Sequence, residues 1–317
     1  MSKATCLSIV LLVAVAALVS TPASAQLSGH NFRGDYGLTS GSQPEPGWYV
    51  SMFYVAYETD KVVDRNGDRI SFDPSLPGSV TAQGIAPFGW WVSKKKILGA
   101  NYSLAVSPSF ANNKIQAPVL GLDEKTGYDL GDLYFQPINL GWHKERADFT
   151  AGVGVFAPIG QYEDGADDNT GLGMWSLELF GGGTFYLDKA KSWNLALSAF
   201  WETHSEKEDS DQQVGDILTL EGGLGKAFAG GAVNVGAAFY GQWKLSADDF
   251  AGALPPGLEI GKHQVFGVGP EVNFPIIAKK KLIAVLTARY LFEFDAKSTT
   301  DGDSFFFGLT FPIGVGQ

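Results

Sequence analysis

Residues 131–162 read GDLYFQPINLGWHKERADFTAGVGVFAPIGQY. This is two long strands joined by one tight, charged turn at Lys144-Glu145-Arg146. In the second strand Phe149, Ala151, Val153 and Val155 share one face, and Thr150, Gly152, Gly154 and Phe156 share the other. A side-chain period of two marks a strand with different surroundings on its two faces. Neither face is strongly polar, and one is rich in glycine. A sheet in water puts charge on its wet face, whereas a membrane barrel turns one face to lipid and keeps small or polar groups inside. The fold therefore depends on whether this hairpin recurs.

Upstream of it, residues 1–25 read as a signal peptide: Lys3, an apolar run over 7–19, and the small-residue site Ala23-Ser24-Ala25. Cys6, the one cysteine, leaves with that segment, so disulfides and thiolate metal sites are excluded from the mature chain. Hydrophobic residues make up 45% of the chain and charged residues 18%, against about 25% charged in ordinary soluble domains. Glycine occurs 40 times and phenylalanine 22 times, yet no mature stretch has the length of a spanning helix. An exported chain of this kind is a secreted all-β domain or an outer-membrane barrel. With a net charge of −11, no nucleic-acid partner is expected.

Downstream the alternation recurs. Strand patterns cover residues 48–58, 78–93, 97–111, 131–143, 147–158, 173–187, 192–204, 215–228, 232–245, 262–275, 282–296 and 304–313. The connections alternate in length. Short ones at 94–96, 144–146, 188–191, 229–231 and 276–281 interleave with long ones at 59–77, 112–130, 159–172, 205–214 and 246–261. The fold class that follows is all-β: a membrane-spanning, antiparallel, up-and-down barrel of about twelve strands, with short periplasmic turns and long extracellular loops. The domain division is 1–25 signal peptide, 26–46 irregular N-terminal segment, and 47–317 barrel. Residues 26–46 lack periodicity; they either plug the lumen or hang in the periplasm, and a tail is the simpler reading. Tryptophans and tyrosines gather near strand ends (Trp48, Tyr49, Trp90, Trp91, Trp142, Trp175, Trp193, Trp201, Trp243), as rings at a headgroup boundary do. The short turns are basic and the long loops acidic, notably Glu163, Asp164, Asp167 and Asp168. Their spacing matches no calcium-binding loop, and Asp64-Arg65-Asn66-Gly67-Asp68 reads as a hairpin tip. No metal and no cofactor is expected.

Alternation also assigns the lumen. Leu195, Leu197, Ala199 and Trp201 face lipid, as do Ala284, Leu286, Ala288, Tyr290, Phe292 and Phe294. Asn194, Ser198, Glu202 and His204 point inward, and so do Thr287, Arg289, Glu293 and Asp295. The same test turns Glu178, Glu221, Gln242, Lys244 and Glu271 inward, because charge on the lipid side of a spanning strand is costly. Glu178, Glu202, Glu221, Lys244, Glu271, Arg289 and Glu293 form either a polar network filling a small interior or a polar constriction; a catalytic carboxylate pair is the third reading. The chain contains no G-x-S-x-G, H-E-x-x-H or phosphate-loop motif, and His30, His143, His204 and His263 are scattered. No catalytic residue is assigned. The His-x-Ser-Asn-Gly motif of the twelve-stranded phospholipases is missing.

Several stretches resemble the phenol meta-pathway (MetA) outer-membrane protein family. They are Pro46-Gly47-Trp48-Tyr49, GDLYFQPINLGWH from Gly131, GVFAPIGQY ending at Tyr162, residues 171–186 and 193–202, LEGGLGK from Leu220 and VFGVGPEV from Val265. The resemblance spans most of the mature chain and rests on spaced Gly, Pro and aromatic residues. It implies an outer-membrane transporter for small hydrophobic or aromatic solutes, with no catalytic residues to carry over. The expected partners are outer-membrane lipid and lipopolysaccharide, those solutes, and the barrel-assembly machinery. One departure from the general outer-membrane pattern is the C-terminus: Phe311 stands six positions short of Gln317, where outer-membrane barrels usually end on an aromatic residue. The alternatives are a closed structural or surface-interaction barrel, and a lipid hydrolase.

Overall fold

The structure, a computed structural model, describes residues 28–70, 78–117, 122–164, 166, 168–249, 262–279 and 281–314. The signal peptide expected over residues 1–25 lies outside these residues. Twelve long strands follow one another: β1 Gly47–Thr59, β2 Ser79–Ile97, β3 Ala100–Ala117, β4 Asp129–His143, β5 Ala147–Ala157, β6 Ser176–Tyr186, β7 Trp193–His204, β8 Ile217–Phe228, β9 Val233–Lys244, β10 Gln264–Ala278, β11 Lys281–Lys297 and β12 Asp303–Ile313. Each pairs antiparallel with its neighbours in sequence, and β12 returns to β1, from Trp48 opposite Ile313 to Glu58 opposite Asp303. The sheet therefore closes and leaves no edge to be satisfied by lipid. Even the shortest strands, at 11 residues, meet the nine to eleven that a tilted strand needs to cross a bilayer.

Burial reports the two faces. Along β7, Asn194, Ala196, Ser198, Phe200, Glu202 and His204 are buried, while Leu195 and Leu197 remain 39% and 46% exposed. On β11 the rings of Tyr290, Phe292 and Phe294 are exposed, although Ala284 on the same nominal face is buried. Large apolar side chains exposed around a whole barrel are costly in water and suited to hydrocarbon. At the short-turn end Trp48 leans on Trp91, their ring centroids 6.0 Å apart, and the Trp142 indole N–H donates to the Leu98 carbonyl. Trp90 and Tyr49 turn inward instead, because each is one position out of phase with an outward neighbour.

Three details differ from the sequence reading. The lysines at 94–96 continue β2, and the turn falls on Leu98-Gly99, both with positive φ (52° and 79°), between the paired residues Ile97 and Ala100. That is the mirror-image turn a two-residue hairpin prefers. Likewise β10 runs past Pro275 to Ala278, which pairs with Lys281. Asp295, expected inside, is outside: pairing steps from Phe294–Phe266 to Lys297–Gln264, so β11 holds one extra residue there. Asp295 takes the bulge with φ 49°, accepts the Gln264 side-chain N–H at Oδ2, and returns Ala296 to the inside. At the long-loop end, residues 62–63 pair with 299–300, and Asp64 Oδ1 accepts the N–H of Asn66 and Asp68 in a hairpin tip.

The interior is asymmetric. Residues 28–46 run through it as an irregular inner segment packed on the wall from β3 to β11. Opposite it, β2 is uniformly half-buried from Ser79 to Trp91, with lipid-facing exposure outside and open space inside.

Candidate functional site: the inner segment and the cavity beside it

Inward-facing charge is unbalanced: Glu178, Glu202, Glu221, Glu271 and Glu293 face inward, against Arg289 and Lys244. A buried carboxylate without donors is very unfavourable. The inner segment supplies donors from its backbone. Glu202 Oε1 accepts the N–H of both His30 and Asn31 at 3.0 Å. Glu221 accepts Gly34 N–H at 2.8 Å and Tyr36 N–H at 2.7 Å. Glu271 accepts Leu38 N–H at 3.2 Å and the Arg289 Nε–H at 2.7 Å, and Arg289 also donates to the Gly34 carbonyl. Asn194 donates to the Leu38 carbonyl, Ser42 to Asp148, and the Gln43 amide to Ser103. A chain held by wall side chains, with only three short backbone turns of its own among the described residues, has no reason to show helix or strand periodicity.

Close approach explains two of its glycines. A Cβ at Gly37 would run into Glu271 Oε2, and one at Gly41 into the backbone of Gly183.

The seven sequence-assigned residues thus divide into separate posts rather than one ring. Glu202, Glu221, Glu271 and Arg289 hold the segment. Glu293 accepts the Tyr57 and Tyr240 hydroxyls and the Gly302 N–H, with Arg33 of the segment 3.4 Å away. Lys244 is buried at the long-loop end, 2.6 Å from both carboxylate oxygens of Asp248. Glu178 accepts the Tyr134 hydroxyl at 2.9 Å beside the cavity.

Sequence reasoning missed His30, Asp132 and Ser176. Asp132 accepts Gly160 N–H, Leu172 N–H and His30 Nε2–H, and so pins both ends of the 159–172 loop. His30 Nδ1 lies 2.7 Å from Ser176 Oγ, which lies 2.7 Å from His204 Nδ1. Residues from the tail, β4, β6 and β7 meet here, so no local motif reveals them. The excess of inward glutamates over inward cations was the one available signal that donors had to come from elsewhere in the chain.

Beside the segment runs a cavity of about 1410 Å³. Its apolar wall carries Phe53, Phe88, Trp90, Phe156, Phe200 and Phe306. Its width comes from small inward residues on β2 and β3, including Gly84, Ala86, Ser107 and Ala111. The lining reaches from Leu282 and Gly314 near the short turns to Asn113 and Thr170 near the long loops.

Residues 59–309 match the family described as the MetA-pathway of phenol degradation. No sequence among the curated proteins matches the chain. The fold is similar to that of the outer membrane channel from Pseudomonas putida F1, with a TM-score of 0.70 at 14% identity over 90% of this chain and 100% of that one. It is also similar to the beta domain of the Bordetella autotransporter BrkA, with a TM-score of 0.53 at 12% identity over 85% and 100%. These likenesses identify a barrel of the outer-membrane type.

Proposed function

The chain belongs to the family of the MetA-pathway of phenol degradation, and from that premise we propose that it is a passive outer-membrane conduit for small hydrophobic or aromatic solutes. The observation that carries the reading is the aromatic-walled cavity that follows the lumen from the short-turn end to the long-loop end, beside the docked inner segment. Aromatic faces and small neighbours offer a ring-sized solute apolar contact. In this reading the signal peptide is cleaved near Gln26, the assembly machinery inserts the barrel, and the short turns lie in the periplasm. The acidic long loops then face lipopolysaccharide. The outer membrane channel of similar fold supports passage by analogy alone.

A catalytic reading of the Asp132–His30–Ser176 chain finds less support. Ser176 is 2% exposed, its oxygen is engaged by two imidazoles, and it is absent from the cavity wall. A nucleophile must meet its substrate.

The test is solute entry into liposomes holding the purified, folded barrel. Entry of a phenol-sized aromatic is expected to exceed that into empty liposomes. Gly84→Trp is expected to cut that entry by several-fold while the barrel still folds. Gly84 lines the cavity, and a Cβ added to it meets nothing within 4 Å. Folded wild-type protein that leaves entry unchanged would sink the conduit.

A further inference from the structure

Where the inner segment begins, His30, Glu202 and His204 each turn a ligand atom towards the others, all within 4.8 Å of one another. Their hydrogen bonds fix which atoms are free. Asp132 already accepts two backbone N–H groups, which suits an anion, so His30 Nε2 carries a proton and donates to it. In the neutral ring His30 Nδ1 is then the acceptor and takes the Ser176 hydroxyl proton. Ser176 Oγ in turn accepts from His204 Nδ1–H. That leaves His204 Nε2 as a bare lone pair. Glu202 Oε1 is occupied by two backbone N–H groups, and Oε2 by none. Both His204 Nε2 and Glu202 Oε2 are buried and without a hydrogen-bond partner among the described residues, in side chains 4% and 1% exposed. Two bare acceptors within one buried cluster of three ligand side chains suit a cation.

We propose that His30, Glu202 and His204 bind one divalent cation of the zinc class and so fasten the inner segment to the barrel wall. Two imidazoles and a carboxylate suit such an ion, whereas calcium and magnesium prefer all-oxygen sets. Ser176 holds the far nitrogen of His204, as partners behind metal-binding imidazoles do. Ligand atoms around a tetrahedral zinc stand about 3.4 Å apart. The cluster therefore closes by up to about 1.4 Å, with His30 Nδ1 exchanging Ser176 for the ion. Gly29 and His30 line the cavity, and Gly29 puts no side chain between it and Glu202, where a Cβ would stand 2.7 Å from Oε2. The site does not depend on solute passage and stands even if the barrel proves closed.

The test is calorimetric titration of the full-length, chelator-stripped barrel with zinc chloride, and with magnesium chloride as the contrast. One equivalent of zinc is expected to bind and magnesium to give no site. His204→Ala and Glu202→Gln are each expected to weaken zinc binding ten-fold or more, and His143→Ala and His263→Ala to leave it unchanged. Glu202→Gln keeps an oxygen for the His30 and Asn31 N–H groups and replaces the unpartnered carboxylate oxygen with a neutral amide. It should therefore fold with the segment docked, which protease resistance of residues 28–46 checks. In the wild type alone, zinc should slow proteolysis of that segment further. Folded wild-type protein that takes up no zinc, or uptake that neither Glu202→Gln nor His204→Ala diminishes, overturns the site.

Discussion

Two glycines inside the barrel carry opposite expectations. Gly84 faces open cavity, whereas Gly37 lies against Glu271 and Arg289 with no room for a methyl group. Gly37→Val must therefore push the segment off its glutamate or displace an ion pair buried on both sides. Overpacking of this kind costs about 1–3 kcal/mol, and the expected outcome is a segment cleaved faster by protease in an otherwise folded barrel. A cleavage rate equal to wild type would mean that the segment is not seated there. Lys207, in the loop after β7, provides a pH reading. It is buried, its ammonium has no hydrogen-bond partner among the described residues, and its group lies 5.3 Å from the Tyr162 ring centre. Burial pushes its pKa down to about 8, against about 10.4 for a free lysine. Between those values the unfolded chain holds a proton that the folded chain has released, so this residue's contribution to stability rises with pH across that window. Amine labelling followed by mass spectrometry should show Lys207 reacting with a midpoint near pH 8, well below the value of about 10.4 for a free lysine. A midpoint at the free-lysine value would contradict the burial.

At the scale of elements, the strands were legible because each presents two solvents to one chain. The clearest is β7, where buried Asn194, Ser198 and Glu202 alternate with exposed Leu195 and Leu197. Turn positions were less legible. Lys94 to Lys96 look like a loop by charge, yet long lysine stems can lie along a strand end with the ammonium in the headgroup layer. The true turn at Leu98-Gly99 is set by backbone handedness, which composition hides. The inner segment was legible least. Its order comes from glutamates on β7, β8 and β10, distant in sequence, so no local pattern encodes it. Glu221 makes that dependence measurable. Glu221→Ala leaves the Gly34 and Tyr36 N–H groups without their acceptor. Each unmade buried bond costs about 1–3 kcal/mol, so the undocked population should rise by about ten-fold or more. Glu221→Gln, which keeps an acceptor oxygen, should fall between alanine and wild type. Deuterium exchange of residues 28–46 reads this directly, and identical exchange in Glu221→Ala and wild type would refute the dependence.

At the scale of the whole molecule, the barrel and its segment are electrostatic complements. The wall turns Glu178, Glu202, Glu221, Glu271 and Glu293 inward against Arg289 and Lys244, and Lys244 is neutralised by Asp248. With the segment in place, backbone N–H groups and Arg33 answer much of that acid, and the aromatic wall of the cavity lies on the other side. Deleting residues 28–46 removes the answer but not the acid. Water then rehydrates the carboxylates, and the lumen becomes both wider and negative. A pore lined with one sign of charge concentrates the opposite ion, and salt screens that effect over a Debye length of about 10 Å at 0.1 M. The deletion variant is therefore expected to conduct more than wild type in planar bilayers. In a potassium chloride gradient its reversal potential should shift towards cation selectivity, and the shift should shrink as both salt concentrations are raised. Because the twelve strands close through β1 and β12 without the segment, the deleted barrel should still fold and insert. A deletion variant that inserts with unchanged conductance and no cation preference would mean that the acidic wall is satisfied by groups other than the inner segment.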